Sequence, residues 1–581
     1  MSSNAQLKEE IRKLALLNAI SYEGEARLGP VVGKLLAKMH HLKPRVKEIT
    51  PLIAEIIEEI NRLDVEEQRR IVETNWPDLL GQEKAGVEKG LPALPNAEEY
   101  AVIVTRFSPN PDAPIHLGSA RAIILCQEYA QKYNGKFLVR FEDTDPKLKK
   151  PQLRFYEFIK EDLQWLDCEP DEYYIQSDRL PIYYEYAERL LTMGKAYVCT
   201  CKPAVFKDLA LKKKQCPCRD LPSPAHLDRW HKMLDGTYKE GDAVVRVKTD
   251  IRHPNPAVRD WPALRIVDTN AFPHPRVGDK YRVWPLYNLA CGVDDHLMGI
   301  THIIRGKEHL TNQIRQEFMY QYFGWKYPEA IHYGRLKISG TSLSKSKIVA
   351  GVQEGVYQGW DDPRLATFAA LRRRGIQPEA IRRLINDVGP KAQDVTLSWE
   401  NLYAHNRKIV EPTANRFFFV RQPREIVVTN LPKAFVATIQ LHPDYPERGV
   451  RIFNITPVDG LASFWVTSED VERMKENQLL RFMELFNVTV ESLGTEHVTA
   501  SFYSEAYEDA RKLGAPLIHW LPRDTDVKCS VVLPDATVAD GFLEENCKHV
   551  AVYSVVQFER FGFVRIDGNE GNRITAYYSH R

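Results

Sequence analysis

The stretch "YAVIVTRFSPNPDAPIHLGSARAIILCQEYAQKYNGKFLVRFEDTD", Tyr100 to Asp145, decides the fold. Its opening, Tyr100 to Phe107, is an apolar run with β-branched residues, short enough for a buried parallel strand. Pro109, Pro111 and Pro114 then stiffen the chain, because proline fixes its own backbone and biases its predecessor toward extended geometry. From His116 onward, Leu117, Ala120, Ile124, Tyr129 and Tyr133 keep near-helical spacing, and Asn134 with Gly135 reads as a helix stop. "KFLVRFEDTD" follows as a second strand. Strand, loop, helix and strand make a βαβ unit, and ligands of such sheets sit beyond the strand carboxyl ends. The stiffened loop lies at that place.

On both sides of this unit the texture changes. Residues 1 to about 80 read as helical, most clearly in "PLIAEIIEEINRL", where Leu52, Ile53, Ile56, Ile57, Ile60 and Leu63 form an apolar stripe suited to packing or docking. Gly81 to Glu99, rich in glycine, proline and polar residues, reads as a linker. Helical patterns return from about Lys345 to Leu402, with Arg372, Arg373, Arg374, Arg382 and Arg383 forming either a solvated face or a set of phosphate contacts. After Phe417, short β-rich runs such as "EIVVTNL", "FVATIQL" and "RITAYY" alternate with turn residues, the pattern of a β-barrel or sandwich.

At 581 residues the chain exceeds one core, and its 44% hydrophobic and 27% charged content is that of an ordinary globular protein. No apolar run of about 18 residues exists to span a bilayer. The start "MSSNAQLKEEIRK" has no secretion-signal pattern, so no membrane association and a cytoplasmic location are expected. A net charge of only +1 excludes a uniformly basic polyanion binder and leaves local basic faces open.

Three constellations carry chemistry. His116 stands at a helix entry, where an imidazole and free backbone N–H groups can meet a phosphate, and Gly118 has no Cβ to obstruct that approach. "GTSLSKSK", Gly340 to Lys347, is a small-residue loop whose lysines suit the charge that develops on a triphosphate. In "CTCKPAVFKDLALKKKQCPC", Cys199, Cys201, Cys216 and Cys218 gather four thiols, the ligand set of a closed, structural Zn²⁺ site in a reducing compartment. Lys212, Lys213 and Lys214 on its loop suit a phosphate backbone.

"HLGS" and "SLSKS" resemble the two signatures, HIGH and KMSKS, of class I aminoacyl-tRNA synthetases. With "RFSPNPDAPIHLG", "VRFEDTDP", "QSDRLPIYYEYAERLL", "NPAVRDWPALRI" and "DDHLMGITHIIRGKEH", the chain from Tyr100 to its end resembles the archaeal-type glutamyl-tRNA synthetases. Ser119, Ser342 and Leu343 depart from the signatures. The resemblance implies ATP and Mg²⁺ as co-reactants, with His116, Gly118, Ser119, Ser344 and Lys345 at ATP and with His116 and Lys345 catalytic. It assigns Arg106, Ser108, Glu142, Tyr287 and Arg305 to the L-glutamate pocket, two arginines and a glutamate matching two carboxylates and one ammonium. Arg305 bears the substrate choice, since glutamine enzymes of the lineage lack an arginine there; Cys291 stands where some relatives have asparagine.

The expected architecture is multidomain α/β: an N-terminal helical module and linker (1–98), a Rossmann-like parallel-sheet catalytic domain (99–195 and 281–345) interrupted by a zinc-bearing acceptor-end insert (196–280), a helical connecting domain (346–410), and C-terminal β-barrel anticodon-binding domains (411–581). The expected activity is that of a glutamate-tRNA ligase acting as a monomer on glutamate tRNA, with glutamine tRNA an open second substrate and the N-terminal helices open to another protein. The rivals are a glutaminyl-tRNA synthetase, a catalytically idle tRNA-binding paralogue and a small-molecule nucleotidyltransferase; the last would need neither the cysteine module nor the long β region.

Overall fold

The computed structural model describes residues 2–21, 24–39, 45–76, 90–341 and 345–581. The chain divides into two units, Met1–Gly90 and Leu91–Arg581. In the first, helices Ser2–Ser21, Leu28–Lys38, Val46–Asn61 and Val65–Asn75 close on Ile11, Leu16, Val31, Ile53, Ile56, Ile57 and Ile60. Ile53, Ile56, Ile57 and Ile60 of the stripe read from the sequence lie in that core and Leu52 packs against it, while Leu63 falls beyond the helix end. Asp64 caps the last helix by accepting the Glu67 N–H at 2.8 Å, and the fully buried Gln68 donates to the carbonyls of Gly24, Ile60 and Leu63.

Part of the stretch read as a linker, residues 81–89, lies outside the described residues. Its remainder is packed chain, since Leu91 and Leu94 are buried in the core of the second unit.

The second unit is built on parallel strands. β1 (Val104–Phe107) pairs with β2 (Lys136–Phe141), and β2 with β3 (Glu172–Ile175). Helix Leu117–Lys132 makes the crossover, burying Leu117, Ala120, Ile123 and Ile124 against Phe137, Val139 and Phe141. Its exit passes through Asn134 in a left-handed conformation to Gly135, where a Cβ would stand 2.0 Å from the Ile103 carbonyl oxygen. Between β3 and the return to the parallel layer comes a separate antiparallel sheet, β4 (Ala196–Cys199), β5 (Val244–Val247), β6 (Pro262–Ile266) and β7 (Val283–Pro285), with its own core around Trp230, Trp261 and Trp284. β8 (His302–Gly306) and β9 (Glu329–Tyr333) then pair in parallel. Thr301 exchanges hydrogen bonds with Val104, which sets β8 beside β1.

Helices Lys345–Gln353, Phe368–Arg373, Pro378–Val388 and Trp399–Val410 lead into two seven-stranded sheets. One runs in the order Arg416–Phe417, Val555–Phe558, Gly562–Asn569, Arg573–His580, Lys528–Val532, Val538–Leu543, Phe419–Arg421; in the other Pro423–Thr429 lies between His497–Ser504 and Ala462–Thr467. Each has its own aromatic and aliphatic core.

Neither reading of the arginine-rich segment describes its main members. Arg374 is 2% exposed and donates to Tyr403 Oη at 2.6 Å and the Ser579 carbonyl at 2.9 Å. Arg373 bridges Asp361 and Asp567, and Arg382 holds Glu128 together with the carbonyls of Leu166 and Asp167. These guanidinium groups tie the helices to the parallel layer and to the C-terminal sheets. Arg383, paired with Glu379 one turn away, fits a solvated face, and the part-exposed Arg372 lies over the Trp165 ring.

Candidate active site

The stiffened loop beyond β1 is pinned from three sides. The Glu142 N–H at the end of β2 donates to Pro109 O and the Gln152 N–H to Pro111 O, each at 2.9 Å. From the far end of the catalytic sequence, Lys345 Nζ donates to Asn110 O at 2.8 Å and pairs with Asp112. Burial lowers the Lys345 ammonium from its ordinary range and Asp112 opposes the shift. His116 caps the helix, its Nδ1 accepting the Gly118 N–H at 3.0 Å, and its carbonyl accepts the Ser119 N–H at 2.7 Å. Burial, then the nearby Lys345 charge, holds this imidazole near 4, so it is neutral at pH 7 with its proton on Nε2. The expected ATP residues His116, Gly118, Ser119 and Lys345 therefore form one cluster. Ser344 lies outside the described residues, as do Ser342 and Leu343.

Beside this loop lies a cavity of about 530 Å³. Ser108, Glu142 and Tyr287 line it, with Lys149, Asn288, His309 and Arg315. The Ser108 hydroxyl and the side-chain carbonyls of Asn110 and Asn288, all on its wall, are buried without a partner among the described residues. Such atoms fit a polar ligand.

The two arginines expected to bind substrate are buried, 4% and 5% exposed, in opposite electrostatic situations. Arg106 presents Nε and Nη2 to the two oxygens of Asp295, both at 3.1 Å. Arg140 on β2 adds Asp295 at 2.8 Å, Glu142 at 3.0 Å and Asp294 at 3.8 Å. Burial alone would raise the Asp295 carboxyl, but Arg106 and Arg140 hold it well below the usual carboxylate range. Burial raises Glu142, with Arg140 opposing. Cys291 sits inside this cluster, 3.3 Å from Arg140 and 3.4 Å from Asp295, its thiol pushed up to about 12 by burial and then by Asp295.

Arg305, near the end of β8, has no carboxylate partner among the described residues. Its guanidinium donates to His332 Nε2 at 3.4 Å, Gln316 Oε1 at 3.3 Å and Tyr327 Oη at 2.9 Å. His332 is itself held near 4 by burial and by Arg305, so every one of these acceptors is neutral at pH 7. Burial opposes the Arg305 charge, the phenols of Tyr287 and Tyr327 offset it, and the group stays protonated.

The catalytic-domain model of the class I tRNA synthetases for glutamate and glutamine matches residues 102–412 of this chain, and their two anticodon-binding-domain models match residues 414–504 and 517–567. The chain belongs to this family. Among curated relatives, the glutamate–tRNA ligase of Thermococcus onnurineus is 51% identical over 580 residues, 99% of this chain and 100% of that one. That of Pyrococcus abyssi is 52% identical over 574 residues, 98% and 99% of the two chains. That of Methanocaldococcus jannaschii is 44% identical over 577 residues, 99% and 100%.

In this class I synthetase the four expected cysteines come together at the end of β4. Their sulfurs all lie within 4.8 Å of one another, with Cys201–Cys216 at 3.2 Å, Cys199–Cys216 at 3.5 Å and Cys201–Cys218 at 4.0 Å. Four thiolates about 2.3 Å from a tetrahedral ion stand roughly 3.8 Å apart, so the donor set fits. Lys212 on the intervening loop pairs with Asp208 in an exposed helical contact.

Asp294, Asp295, Arg140, Gln316 and Tyr327 escape a reading of the sequence. The adjacent acids in "DDH" are the one local signal, since two carboxylates in an otherwise apolar helix need buried cations. Gln316 and Tyr327 carry no signal at all.

Burial above all holds His116, His226, His309, His332 and His580 near 4. Unfolded histidine titrates near about 6.5. Between those values the unfolded chain binds more protons than the folded one, so stability rises with pH across that window and is lost on acidification. The calorimetric unfolding midpoint of the synthetase should fall steadily from pH 6.5 to 4.5; a constant midpoint would contradict these burial assignments.

Proposed function

We propose that this chain is a glutamate–tRNA ligase that joins L-glutamate to ATP as glutamyl adenylate, releasing pyrophosphate, and then passes the glutamyl group to the terminal adenosine of glutamate tRNA. The observation that carries this reading is Arg305, a buried cation whose hydrogen-bonded acceptors are all neutral. A buried unpaired charge is strongly unfavourable, and a carboxylate ligand relieves it. Glutamine, with a neutral amide, does not.

In the first step a glutamate carboxylate oxygen attacks the α-phosphorus and the bond to pyrophosphate breaks. Lys345 supplies positive charge where the leaving pyrophosphate gains negative charge, and the His116 Nε2–H and the helix entry behind it supply donors to the phosphates. Mg²⁺, when bound with ATP, neutralises further phosphate charge. In the second step a ribose hydroxyl attacks the activated carbonyl, AMP leaves, and no covalent enzyme intermediate is needed. An idle tRNA-binding paralogue would have no use for the junction of Lys345 with the His116 loop.

Ser108, Glu142, Tyr287 and Arg305 are assigned to the amino-acid pocket; Arg106, expected there as a direct ligand, has its guanidinium paired with Asp295 and is assigned to positioning the pocket. Cys199, Cys201, Cys216 and Cys218 would hold Zn²⁺, whose chemistry is to cross-link β4 to the following loop. Metal analysis of purified protein should give one zinc per chain, and Cys216→Ser should lose it and lower the unfolding midpoint by several degrees; full zinc retention in that variant would remove the assignment.

No described helix is long and apolar enough to cross a membrane. The decisive experiment is parallel charging of purified glutamate tRNA and glutamine tRNA with labelled glutamate or glutamine. Glutamate on glutamate tRNA is the expected result. Glutamate on both tRNAs would mean a broader ligase, glutamine incorporation would overturn the reading of Arg305, and no charging would favour the idle paralogue.

A further inference from the structure

The three buried arginines of the site differ in one respect. Arg106 and Arg140 share Asp295, and Arg140 also meets Glu142 and Asp294, whereas Arg305 is held by an amide, a phenol and a neutral imidazole. The Arg305 contacts form a closed triangle. Nη1 donates to Gln316 Oε1 at 3.3 Å, Nη2 donates to Tyr327 Oη at 2.9 Å, and Tyr327 Oη–H donates to the same Gln316 Oε1 at 2.7 Å. Two donors converging on Oε1 fix which end of the amide faces the guanidinium. The other end, Gln316 Nε2, is buried with no acceptor among the described residues, although Gln316 is fully inaccessible to solvent.

An orphaned buried N–H donor weakens a fold, and the isosteric glutamate would remove it. A carboxylate at 316 would accept both existing hydrogen bonds, leave no orphaned donor and pair with Arg305. For stability alone, position 316 suits glutamate better than glutamine. The amide at this position therefore points to function: it orients Arg305 without neutralising it.

We propose that Gln316, with Tyr327, is the specificity-determining support of Arg305, keeping its charge uncompensated so that only an amino acid with an anionic side chain completes the site. This rests on the reading of Arg305 as the ligand for the substrate carboxylate. Gln316 acts through Arg305 and is a positioning residue, so its signature lies in discrimination between substrates and in the opposite movement of stability and activity.

The test uses the full chain with purified tRNA and measures kcat/KM for glutamate and for glutamine together with the unfolding midpoint. Gln316→Glu should raise the midpoint, lower kcat/KM for glutamate at least 100-fold through KM, and reduce the preference for glutamate over glutamine at least tenfold. Gln316→Met removes the acceptor but adds no charge; it should raise the glutamate KM while the preference for glutamate persists. Equal behaviour of the two variants, or unchanged discrimination in Gln316→Glu, would overturn the proposal. Arg305→Ala run beside them separates the two levels: if it leaves the glutamate KM unchanged, the reading of Arg305 itself has failed, and if it alone loses discrimination, that reading stands and the role of Gln316 has failed.

Discussion

Replacing Arg305 by alanine should raise the glutamate KM and lower kcat/KM roughly 10²- to 10⁴-fold, with the affinity for tRNA changed less than about threefold. The magnitude follows from breaking a buried, hydrogen-bonded charge pair, which is worth about 3–5 kcal/mol. Since Arg305 forms no ion pair within the described protein, its loss removes that energy from the complex and takes little from the free enzyme. The unfolding midpoint should hold or rise. Arg305→Lys should recover little, because one ammonium cannot reproduce the fork that meets Gln316, Tyr327 and a carboxylate together. Steady-state charging at varied glutamate measures the effect, and a variant with an unchanged KM would remove Arg305 from the substrate site.

Lys345→Ala should act on the other co-reactant. Loss of a preorganised cation at the developing pyrophosphate charge typically lowers the chemical step by roughly 10²- to 10³-fold. The glutamate KM and tRNA affinity should stay within about threefold. The deletion also leaves Asp112 without its counter-ion beside the phosphates, which adds repulsion. The double variant Lys345→Ala with Asp112→Asn should therefore be several-fold faster than Lys345→Ala alone, a non-additivity expected of groups in direct contact. Pre-steady-state measurement of adenylate formation distinguishes this from a binding defect. Equal losses in adenylation and tRNA binding, with the fold intact, would argue against the role. His116→Ala is a less clean probe, since its imidazole also caps the helix and its removal lowers stability.

The βαβ unit was legible because its signals are local. Proline geometry, β-branched runs, helical spacing and the Asn134–Gly135 stop all act within a few residues, and the structure reproduces each as a pairing or a close approach. The four cysteines were legible for the same reason, since a pair of C-x-C half-sites specifies its own gathering. The arginine-rich helices were misread because a guanidinium on a helix face looks the same in sequence whether water, a phosphate or Asp567 stands opposite.

By itself, then, the sequence determined the parallel layer, the stiff loop carrying His116, the metal-type cysteine cluster and the identity of the residues that could meet an amino acid and a nucleotide. Only the tertiary structure decided which of those residues are already satisfied. Charge neutralisation inside a protein depends on neighbours within a few ångströms that are distant in the chain: Asp295 answers Arg106 across 189 residues, and Asn110 meets Lys345 across 235. Among the described residues Arg305 hydrogen-bonds only to neutral groups, so its charge has no carboxylate partner, a state that no local pattern in the sequence reveals.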